Sequence, residues 1–425
     1  MKYIADFHVH SRYSRATSPD MSPEGLWRWS QLKGITVIGT GDFTHPLWLA
    51  ELLEKLDPAA DGLFSLKNKF RPGAVPESCS SDVAIVLSAE ISCIYRKHDK
   101  TRKVHCIIIA PAFDDVLRIN KRLSAIGNLS SDGRPILGLD AKELLRIVIE
   151  ESPEAMLIPA HVWTPHFSVF GAASGFDSLE ECFEELTPHI HALETGLSSD
   201  PSMNWRLSCL DALTLISNSD AHSPRKLGRE ANIFETEISY GSMASALKTR
   251  NGFAGTIEFY PEEGKYHADG HRNCRVCLSP AETVQHNYLC PVCGKKVTIG
   301  VLHRVAKLAD RREGFSLDGA PSYRSIIPLE EIIAECGKVG VNSKAVSKVY
   351  TQLLADHGNE FRILLEVPVE DIAGSGFSQI AEAISRMRAN RVSIAPGYDG
   401  EYGKIKIFEE VKRDVAKGQE ALLLR

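Results

Sequence analysis

Short apolar, β-branched runs recur along the first 220 residues, and helical stretches separate several of them. The runs span residues 2–8, 35–41, 83–91, 103–110, 156–161, 190–195 and 213–219. The intervening stretches 22–33, with Pro23 at an early helical position, and 140–151 are typical of helices. Because alternating β and α segments indicate a parallel sheet, seven strands in one such domain predict an α/β barrel.

Side chains that bind divalent metals stand at the ends of these predicted strands. His8 and His10 are two residues apart, so both imidazoles should leave one face of the first strand. The last run leads into Asp220 and His222. The remaining ligand types are Asp42, His45, Glu90, His105 and His161. Functional groups of such barrels collect at the C-terminal ends of the strands. The fourth run is an exception, because it begins near its histidine instead of ending there.

A single histidine at a strand end is more often a hydrogen-bonded structural residue than a metal ligand. Several histidines and carboxylates on successive strands are another matter, since divalent metals need neutral imidazoles and ionised carboxylates that converge. The sequence therefore predicts one shared metal centre in the barrel.

The bulk composition is that of an ordinary globular protein, with 43% hydrophobic and 24% charged residues. A length of 425 residues predicts two or three domains. No apolar run approaches the roughly 20 residues that a membrane helix needs. Asp6 also interrupts the stretch where a signal peptide would be apolar. We therefore expect a cytoplasmic protein with no membrane partner.

Four of the ten cysteines form two close pairs, and the other six are scattered, as in a reducing compartment. The paired residues are Cys274, Cys277, Cys290 and Cys293. Two such spacings around a short loop predict one tetrahedral structural zinc, with a redox pair as the alternative. The net charge of the chain is −6, yet residues 270–312 contain eight Lys or Arg and only two acids. This excess suits a phosphate backbone, or it is only a solubilising surface.

The changes in pattern divide the chain into three regions. Residues 1–256 form the predicted barrel, and the turn-rich, cysteine-containing residues 257–312 form a small zinc ribbon. Residues 313–425 are predicted to form a mainly helical domain, with helical stretches at 328–336, 343–357 and 378–390 and a short strand at 404–408.

The ligand residues occur in a distinctive order: His8-x-His10, Gly41-Asp42, Ala89-Glu90, His105, Ala160-His161 and Asp220-x-His222. This order resembles the PHP superfamily of polymerase and histidinol phosphatase domains. The resemblance implies a distorted (β/α)7 barrel that holds up to three metal ions for phosphoester hydrolysis. The family pattern has Thr-Asp-His after the second strand, whereas this chain reads Thr40-Gly41-Asp42. Asp42 therefore stands in place of a family histidine, and His45 is a nearby substitute.

The resemblance also implies a division of the ligands among metals. His8, His10, Glu90 and Asp220 would form one site. Glu90 would bridge to a second site with His105 and His161. Asp42 or His45 would complete a third site with His222. Two or three divalent metals are expected, zinc first and manganese or magnesium as alternatives. Asp220, His222 and Glu90 would be the catalytic groups.

The order of barrel, zinc ribbon and helical domain, with Asp399 in a Gly-rich segment at 396–403, resembles the endonuclease Q family. That resemblance implies a DNA repair hydrolase that cuts 5′ of a deaminated base (uracil, hypoxanthine, xanthine) or an abasic site. Such an enzyme extrudes the damaged base from the stack. The residues expected to contact the substrate are Asn218, Ser219, Trp163 and Arg12. The alternatives are a phosphomonoesterase on a small metabolite and a non-catalytic DNA-binding PHP protein.

Overall fold

A computed structural model of the chain describes residues 1–73 and 75–408. The strands, in chain order, are Lys2–Asp6 (β1), Val37–Gly39 (β2), Leu56–Pro58 (β3), Phe64–Leu66 (β4), Ala84–Lys97 (β5), Lys100–Ala110 (β6), Ile136–Leu137 (β7), Met156–Pro159 (β8), Ala192–Glu194 (β9), Thr214–Ile216 (β10), Ala231–Glu235 (β11), Phe253–Glu258 (β12), Asp269–His271 (β13), Val276–Leu278 (β14), Ser322–Ser325 (β15), Ser393–Ala395 (β16) and Lys404–Lys406 (β17). The seven predicted strands are therefore confirmed as β1, β2, β5, β6, β8, β9 and β10.

Helices flank these strands and then dominate the C-terminal third. They are Pro23–Lys33 (α1), Pro46–Lys55 (α2), Phe113–Ser124 (α3), Ala141–Glu151 (α4), Leu179–Phe183 (α5), Pro201–Asn204 (α6), Tyr240–Thr249 (α7), Pro280–Gln285 (α8), Val301–Leu308 (α9), Leu329–Gly337 (α10), Lys344–His357 (α11), Glu360–Leu365 (α12), Val369–Gly374 (α13) and Ser378–Arg388 (α14). The first begins as its sequence predicts, because Ser22 caps it by accepting a hydrogen bond from the backbone N–H of Gly25.

The strands form a distorted barrel in which parallel and antiparallel pairs are mixed. β1 pairs in parallel with β2, and β2 in parallel with β5. β6 is antiparallel to both β5 and β8, while β9 and β10 form a separate parallel pair. On its other side β1 pairs with β11, which is followed by β12 and β15. The predicted distorted α/β barrel is confirmed, but the sheet is not parallel throughout.

The reversal of β6 has a local cause. Lys97 faces Lys100 across a two-residue connection, His98 and Asp99, whose φ angles are 50° and 57°. Both angles lie in the left-handed region that tight hairpin turns require. Two residues cannot span a helical crossover, so β6 must run antiparallel to β5. Its first half therefore lies beside the metal-binding end of the barrel, which explains why His105 is not at the C-terminal end of its strand.

An apolar cluster fills the barrel interior below the predicted metal residues. Its members include Phe7, Val37, Val86, Ile158 and Ile216, all at most 1% exposed, together with buried side chains of α7. The strand faces that point outward pack on the surrounding helices in a second, larger cluster. The polar ligands therefore lie directly above a closely packed apolar core.

The C-terminal region is only partly a separate helical unit. Helices α10–α14 pack together, but β15 adds in parallel to β12 as the edge strand of the barrel sheet. Residues 393–406 form a hairpin that returns to the ribbon, where Asp399 accepts hydrogen bonds from Arg272 N and Thr298 Oγ1. The predicted strand at 404–408 is confirmed as β17. The predicted domain extends to residue 425, and residues 409–425 lie outside the described residues.

Candidate metal centre

Two groups of ligand atoms meet at the predicted end of the barrel. The first comprises His8, His10, Glu90 and Asp220, and the second comprises Glu90, His105 and His161. Within each group the candidate ligand atoms lie within 4.8 Å of one another. These are the two ligand sets that the sequence resemblance implies.

Glu90 is shared between the two groups through its two oxygens. Oε2 lies 3.4 Å from His8 Nε2 and 3.3 Å from His10 Nε2. Oε1 lies 2.6 Å from His105 Nδ1 and 3.1 Å from His161 Nε2. A carboxylate placed in this way can bridge two cations.

The donor chemistry of the first group fits a divalent cation. His8 Nε2 is buried and makes no hydrogen bond within the described residues, although carboxylate oxygens lie close to it. Imidazole nitrogen with carboxylate oxygen is a donor set that zinc and other first-row divalent metals accept. A buried polar atom without a partner is costly, and a bound cation would satisfy it.

The electrostatics of the first group also favour a bound cation. Burial lowers the pKa of His8, but the carboxylates of Glu194 and Glu90 outweigh this effect and hold the pKa well above its usual value. Burial raises the pKa of Asp220, but the hydrogen bond from His10 and the charge of His8 hold that pKa far below normal. The carboxylates therefore stay ionised, and the buried site attracts positive charge, whether protons or metal ions.

Each ligand imidazole is oriented by a partner at its other ring nitrogen. His8 Nδ1 donates to Glu194 Oε1 at 3.0 Å, and His10 Nδ1 donates to Asp42 Oδ1 at 3.1 Å. The corresponding partner of His105 is Ser92 Oγ at 3.1 Å, and that of His161 is Thr164 Oγ1 at 3.1 Å. Such partners set the tautomer so that the remaining nitrogen can face a metal.

The residues predicted for a third metal are not assembled into a ligand group within residues 1–73 and 75–408. Asp42 instead accepts hydrogen bonds from His10 Nδ1, from Ser11 N at 2.6 Å and from Ser14 Oγ at 2.9 Å. The ring of His45 stacks on Tyr13 at 4.5 Å. The geometry gives Asp42 the role of holding His10.

His222 lies at the solvent side of the first group. Its ring centroid is 4.4 Å from that of His10, and its Nδ1 donates to the carbonyl oxygen of Asp220 at 2.9 Å. The side chains of Asp220 and His222 are 28% and 33% exposed, so they form the mouth of an otherwise buried site. Burial, followed by the charge of His10, lowers the pKa of His222.

Three of the four residues expected to contact the substrate are buried instead. The Trp163 indole is 1% exposed and donates to Asn204 Oδ1 at 2.8 Å. Asn218 accepts from Phe7 N at 2.8 Å and donates to Glu194 Oε1 at 2.9 Å. Ser219 is also fully buried. These side chains therefore lie in the barrel interior, where Asn218 supports Glu194, the partner of His8. Their contact with substrate stays a prediction.

Arg12, the fourth of these residues, pairs with Glu51 and lies over the Tyr13 ring. Another arginine contacts the metal residues directly: Arg134 Nη1 donates to Glu90 Oε2 at 2.9 Å. Arg134 lies in a loop without a recognisable motif, so its role could not be predicted from the sequence. Glu194, in contrast, ends a predicted strand, and that position was a detectable signal for a supporting residue.

The ribbon holds a third candidate metal group with a ligand set that differs from the predicted one. His271, Cys274, Cys290 and Cys293 offer ligand atoms within 4.8 Å of one another, and Cys277 does not belong to the group. Cys277 lies on β14 between Val276 and Leu278, which are buried in the ribbon core. Side chains alternate along a strand, so Cys277 faces away from that core. His271 and Cys274 instead repeat the spacing of Cys290 and Cys293.

Two arginines of the ribbon region are buried or paired with an acid, so fewer cations are exposed there than its sequence suggests. Arg304 is buried and donates to the carbonyl oxygens of Phe170 and Phe176, and Arg311 pairs with Asp211. The exposed cations are Arg272, Arg275, Lys295, Lys296, Lys307 and Arg312. Throughout the described residues, helices are too short or too polar to cross a membrane.

Comparison with known proteins gives matches along the whole chain. Residues 328–391, which contain all of α10–α14, match the family model of the MJ0043 C-terminal domain. Uncharacterized protein MJ0043 of Methanocaldococcus jannaschii is 32% identical over 251 residues, which are 57% of this chain and 31% of that protein. The chain therefore spans about a third of that relative. Uncharacterized protein YqxK of Bacillus subtilis is 30% identical over 384 residues, 89% of this chain and 90% of the relative.

Two crystal structures resemble the whole molecule. The lesion-specific endonuclease PfuEndoQ from Pyrococcus furiosus superposes with a TM-score of 0.83 at 31% identity, with 99% of each chain covered. Endonuclease Q in complex with a 27-mer duplex substrate carrying an abasic lesion at the active site gives a TM-score of 0.82 at 32% identity. That match covers 99% of this chain and 100% of the other.

Proposed function

The chain belongs to the endonuclease Q family within the PHP superfamily, and from that premise we propose that it is a metal-dependent DNA repair endonuclease. Its substrate would be duplex DNA with a deaminated base (uracil, hypoxanthine or xanthine) or an abasic site, and the phosphodiester on the 5′ side would be hydrolysed. The observation that supports this function most strongly is the pair of ligand groups that share Glu90 at the open end of the barrel.

The proposed ligands follow from the two groups. His8, His10, Glu90 and Asp220 would hold one divalent cation, and Glu90, His105 and His161 a second. Bound divalent cations supply Lewis-acid activation of water and neutralise charge on the departing oxygen. Glu194 and Asp42 would keep His8 and His10 in the required tautomer. The apolar cluster beneath would exclude water from the inner side of the site.

The solvent-facing edge determines where the DNA strand would enter. Asp220 and His222 are the partly exposed members of the site. His222 Nδ1–H is occupied by the Asp220 carbonyl oxygen, which leaves Nε2 as the proton acceptor. We assign His222 to proton transfer at this edge. A scissile phosphate that reaches Asp220 would then lie within reach of both ligand groups.

The ribbon would contribute a structural zinc and an electrostatic surface. His271, Cys274, Cys290 and Cys293 form a three-cysteine, one-histidine set, which is a common set for structural zinc. Its exposed cations Arg272, Lys295 and Lys296 suit the phosphate backbone of duplex DNA. Binding through such cations should weaken steeply as the salt concentration rises.

Cleavage of labelled duplexes tests the proposal. Four duplexes of one sequence, carrying uracil, hypoxanthine, an abasic site or no lesion, are incubated with the metal-loaded protein, and the position of each cut is mapped. Cuts on the 5′ side of the lesions, with the intact duplex left whole, are the expected result. Equal cutting of all four would refute lesion specificity, and release of phosphate from small esters without cutting of DNA would favour a phosphomonoesterase.

A variant of the site serves as the control for contaminating nucleases. Asp220→Asn keeps the size of the side chain but removes the charge that the first ligand group requires. It should lose cleavage of every lesion, whereas Glu235→Gln, an exposed change at the end of β11, should keep it. Full activity of Asp220→Asn would separate the activity from this site.

A further inference from the structure

The loop between α3 and α4 brings a permanent cation to the mouth of the site. Gly133 N donates to Tyr13 O at 3.0 Å, and Thr44 Oγ1 donates to Gly133 O at 3.3 Å. On the other side of Arg134, Ser92 N donates to Pro135 O at 3.0 Å. Both neighbours of Arg134 are thus fixed to the barrel, so the position of its backbone is closely defined.

Close packing before the arginine shows how tightly the loop is seated. A Cβ at Gly133 would collide with the carboxylate of Asp42 and the hydroxyl of Ser14. Asp42 in turn holds His10. The loop therefore rests directly on the support of a ligand histidine, and glycine is needed at that contact.

The guanidinium of Arg134 spans the boundary between the buried ligands and solvent. Its Nη1 is 2.9 Å from Glu90 Oε2, yet its side chain is 31% exposed while that of Glu90 is fully buried. Nη2 and Nε make no hydrogen bond within residues 1–73 and 75–408, so part of the fork can accept a ligand. The exposed edge also contains Asp220 and His222, so these three side chains surround the entrance.

Three other arginines near the entrance contact carboxylates outside the ligand groups or backbone carbonyl oxygens. Arg12 pairs with Glu51, and Arg15 lies 3.3 Å from Asp132 and is largely exposed. Arg229 donates through Nε to the carbonyl oxygen of Ser219 at 2.7 Å and through Nη2 to that of Asp220. In the described part of the chain, Arg134 is the arginine whose side chain contacts a carboxylate of the ligand groups.

We propose that Arg134 binds a non-bridging oxygen of the scissile phosphodiester and positions it over Glu90 and Asp220. The inference rests on the proposed function for the identity of the phosphoester. A planar guanidinium matches the geometry of phosphate oxygens, and such charge-assisted hydrogen bonds are among the strongest in proteins. Glu90 is the carboxylate partner of Arg134 Nη1, and a phosphate oxygen would bind the remaining N–H groups of the guanidinium from the solvent side.

The test compares Arg134→Ala and Arg134→Lys with the wild type and with Arg118→Ala, a control on α3 whose side chain is half exposed and pairs with Asp115. All are full-length and metal-loaded. Metal content is measured by elemental analysis, inorganic phosphate binding by titration calorimetry, and hydrolysis of the lesion duplexes as kcat and KM.

The expected result is unchanged metal content with phosphate affinity reduced by about 10- to 100-fold in Arg134→Ala. The phosphate affinity of Arg134→Lys should lie between those of the wild type and Arg134→Ala, because lysine keeps the charge but lacks the planar guanidinium. Arg118→Ala should match the wild type. The lesion-duplex assay should show a similar loss in kcat/KM for Arg134→Ala.

Three results would overturn the inference. The first is phosphate binding by Arg134→Ala that equals that of the wild type. The second is metal loss from both variants, since Arg134 would then act on the ligand groups instead of the substrate. The third is the absence of measurable phosphate binding by the loaded wild type. Phosphate binding that depends on Arg134, without cleavage of any lesion duplex, would instead support this inference and refute the proposed function.

Discussion

Glu194 accepts a hydrogen bond from His8 Nδ1 at 3.0 Å, and both side chains are buried. The same carboxylate accepts from His161 N at 2.8 Å, so it supports one ligand from each group. A single outer carboxylate thus fixes the tautomer of one histidine and the backbone position of another.

Glu194→Gln should weaken metal binding in the barrel by about 10- to 100-fold, as losses of such outer partners typically do. Glutamine retains a hydrogen-bond acceptor but loses the charge that makes His8 a stronger ligand. Zinc affinity measured by competition with a chromophoric chelator checks this expectation. Glu235→Gln is the matched control, and equal affinities of the two variants would contradict the role of Glu194.

The ribbon ligand set predicts opposite outcomes for two neighbouring residues. His271→Ala should reduce the zinc content of the protein by about one ion, because a tetrahedral structural site needs four ligands. Cys277→Ser should retain the zinc content of the wild type. Elemental analysis of both purified variants measures the zinc content. Loss of zinc from Cys277→Ser but not from His271→Ala would instead support a four-cysteine site.

A buried ion pair joins the barrel to the helical region. Lys33 Nζ on α1 lies 2.6 Å from Glu360 Oε2 on α12, both side chains are at most 4% exposed, and Tyr350 also donates to Glu360. Lys33→Met would leave a buried, uncompensated carboxylate, which typically costs about 3–5 kcal/mol. We expect a lower melting temperature in calorimetry.

The double variant Lys33→Met/Glu360→Gln should recover most of that loss, because it removes the unpaired charge as well. Arg122→Met, which breaks a surface ion pair with Glu150 and Glu151, should leave the melting temperature nearly unchanged. A double variant no more stable than Lys33→Met would show that packing, not charge, accounts for the effect.

Glu258 gives the stability a pH dependence. Burial raises its pKa to about 8, against which the hydroxyls of Ser217 and Thr256 act in the opposite direction. The folded protein thus holds a proton that the unfolded chain releases near its normal pKa. Stability from this group is complete below that normal value and is lost as the pH rises toward 8.

Glu258→Gln should remove this dependence, because the amide stays neutral. Its melting temperature should match that of the wild type at pH 5 and exceed it at pH 9, by about 1 °C for each kcal/mol in a chain of 425 residues. Scanning calorimetry across this range checks the difference. A constant difference between the two proteins would contradict the assignment.

Most of the barrel ligands could be predicted because the rule that places them is simple. Strand ends converge at one edge, so His8, His161 and Asp220 could be recognised without knowledge of their distances. Glu90 was also recognised, although β5 continues to Lys97 beyond it. The direction of β6 escaped prediction because His98 and Asp99 lack the glycine that usually marks a tight hairpin. Their left-handed φ angles are visible only in the structure.

The differences between the expected and the observed positions share one physical origin, which is that local spacing does not define orientation. The Cys274-x-x-Cys277 pattern suits a zinc knuckle, but the alternation of β14 turns Cys277 away from the ribbon core. Trp163 and Asn218 follow or lie within ligand-bearing strands, yet their side chains point inward and complete hydrogen bonds there. Arg134 could not be predicted, since its approach to Glu90 depends on loop anchors distant in sequence.

The hairpin that returns to the ribbon has a consequence for synthesis. Gly397 O accepts from Ala268 N at 2.9 Å, and Asp399 accepts from Arg272 N at 2.7 Å. These bonds join segments about 130 residues apart, and a ribosome emits the later one last. The hydrogen bonds between the ribbon and this hairpin can therefore form only after the whole helical region has left the exit tunnel. The ribbon completes its hydrogen bonding late in folding.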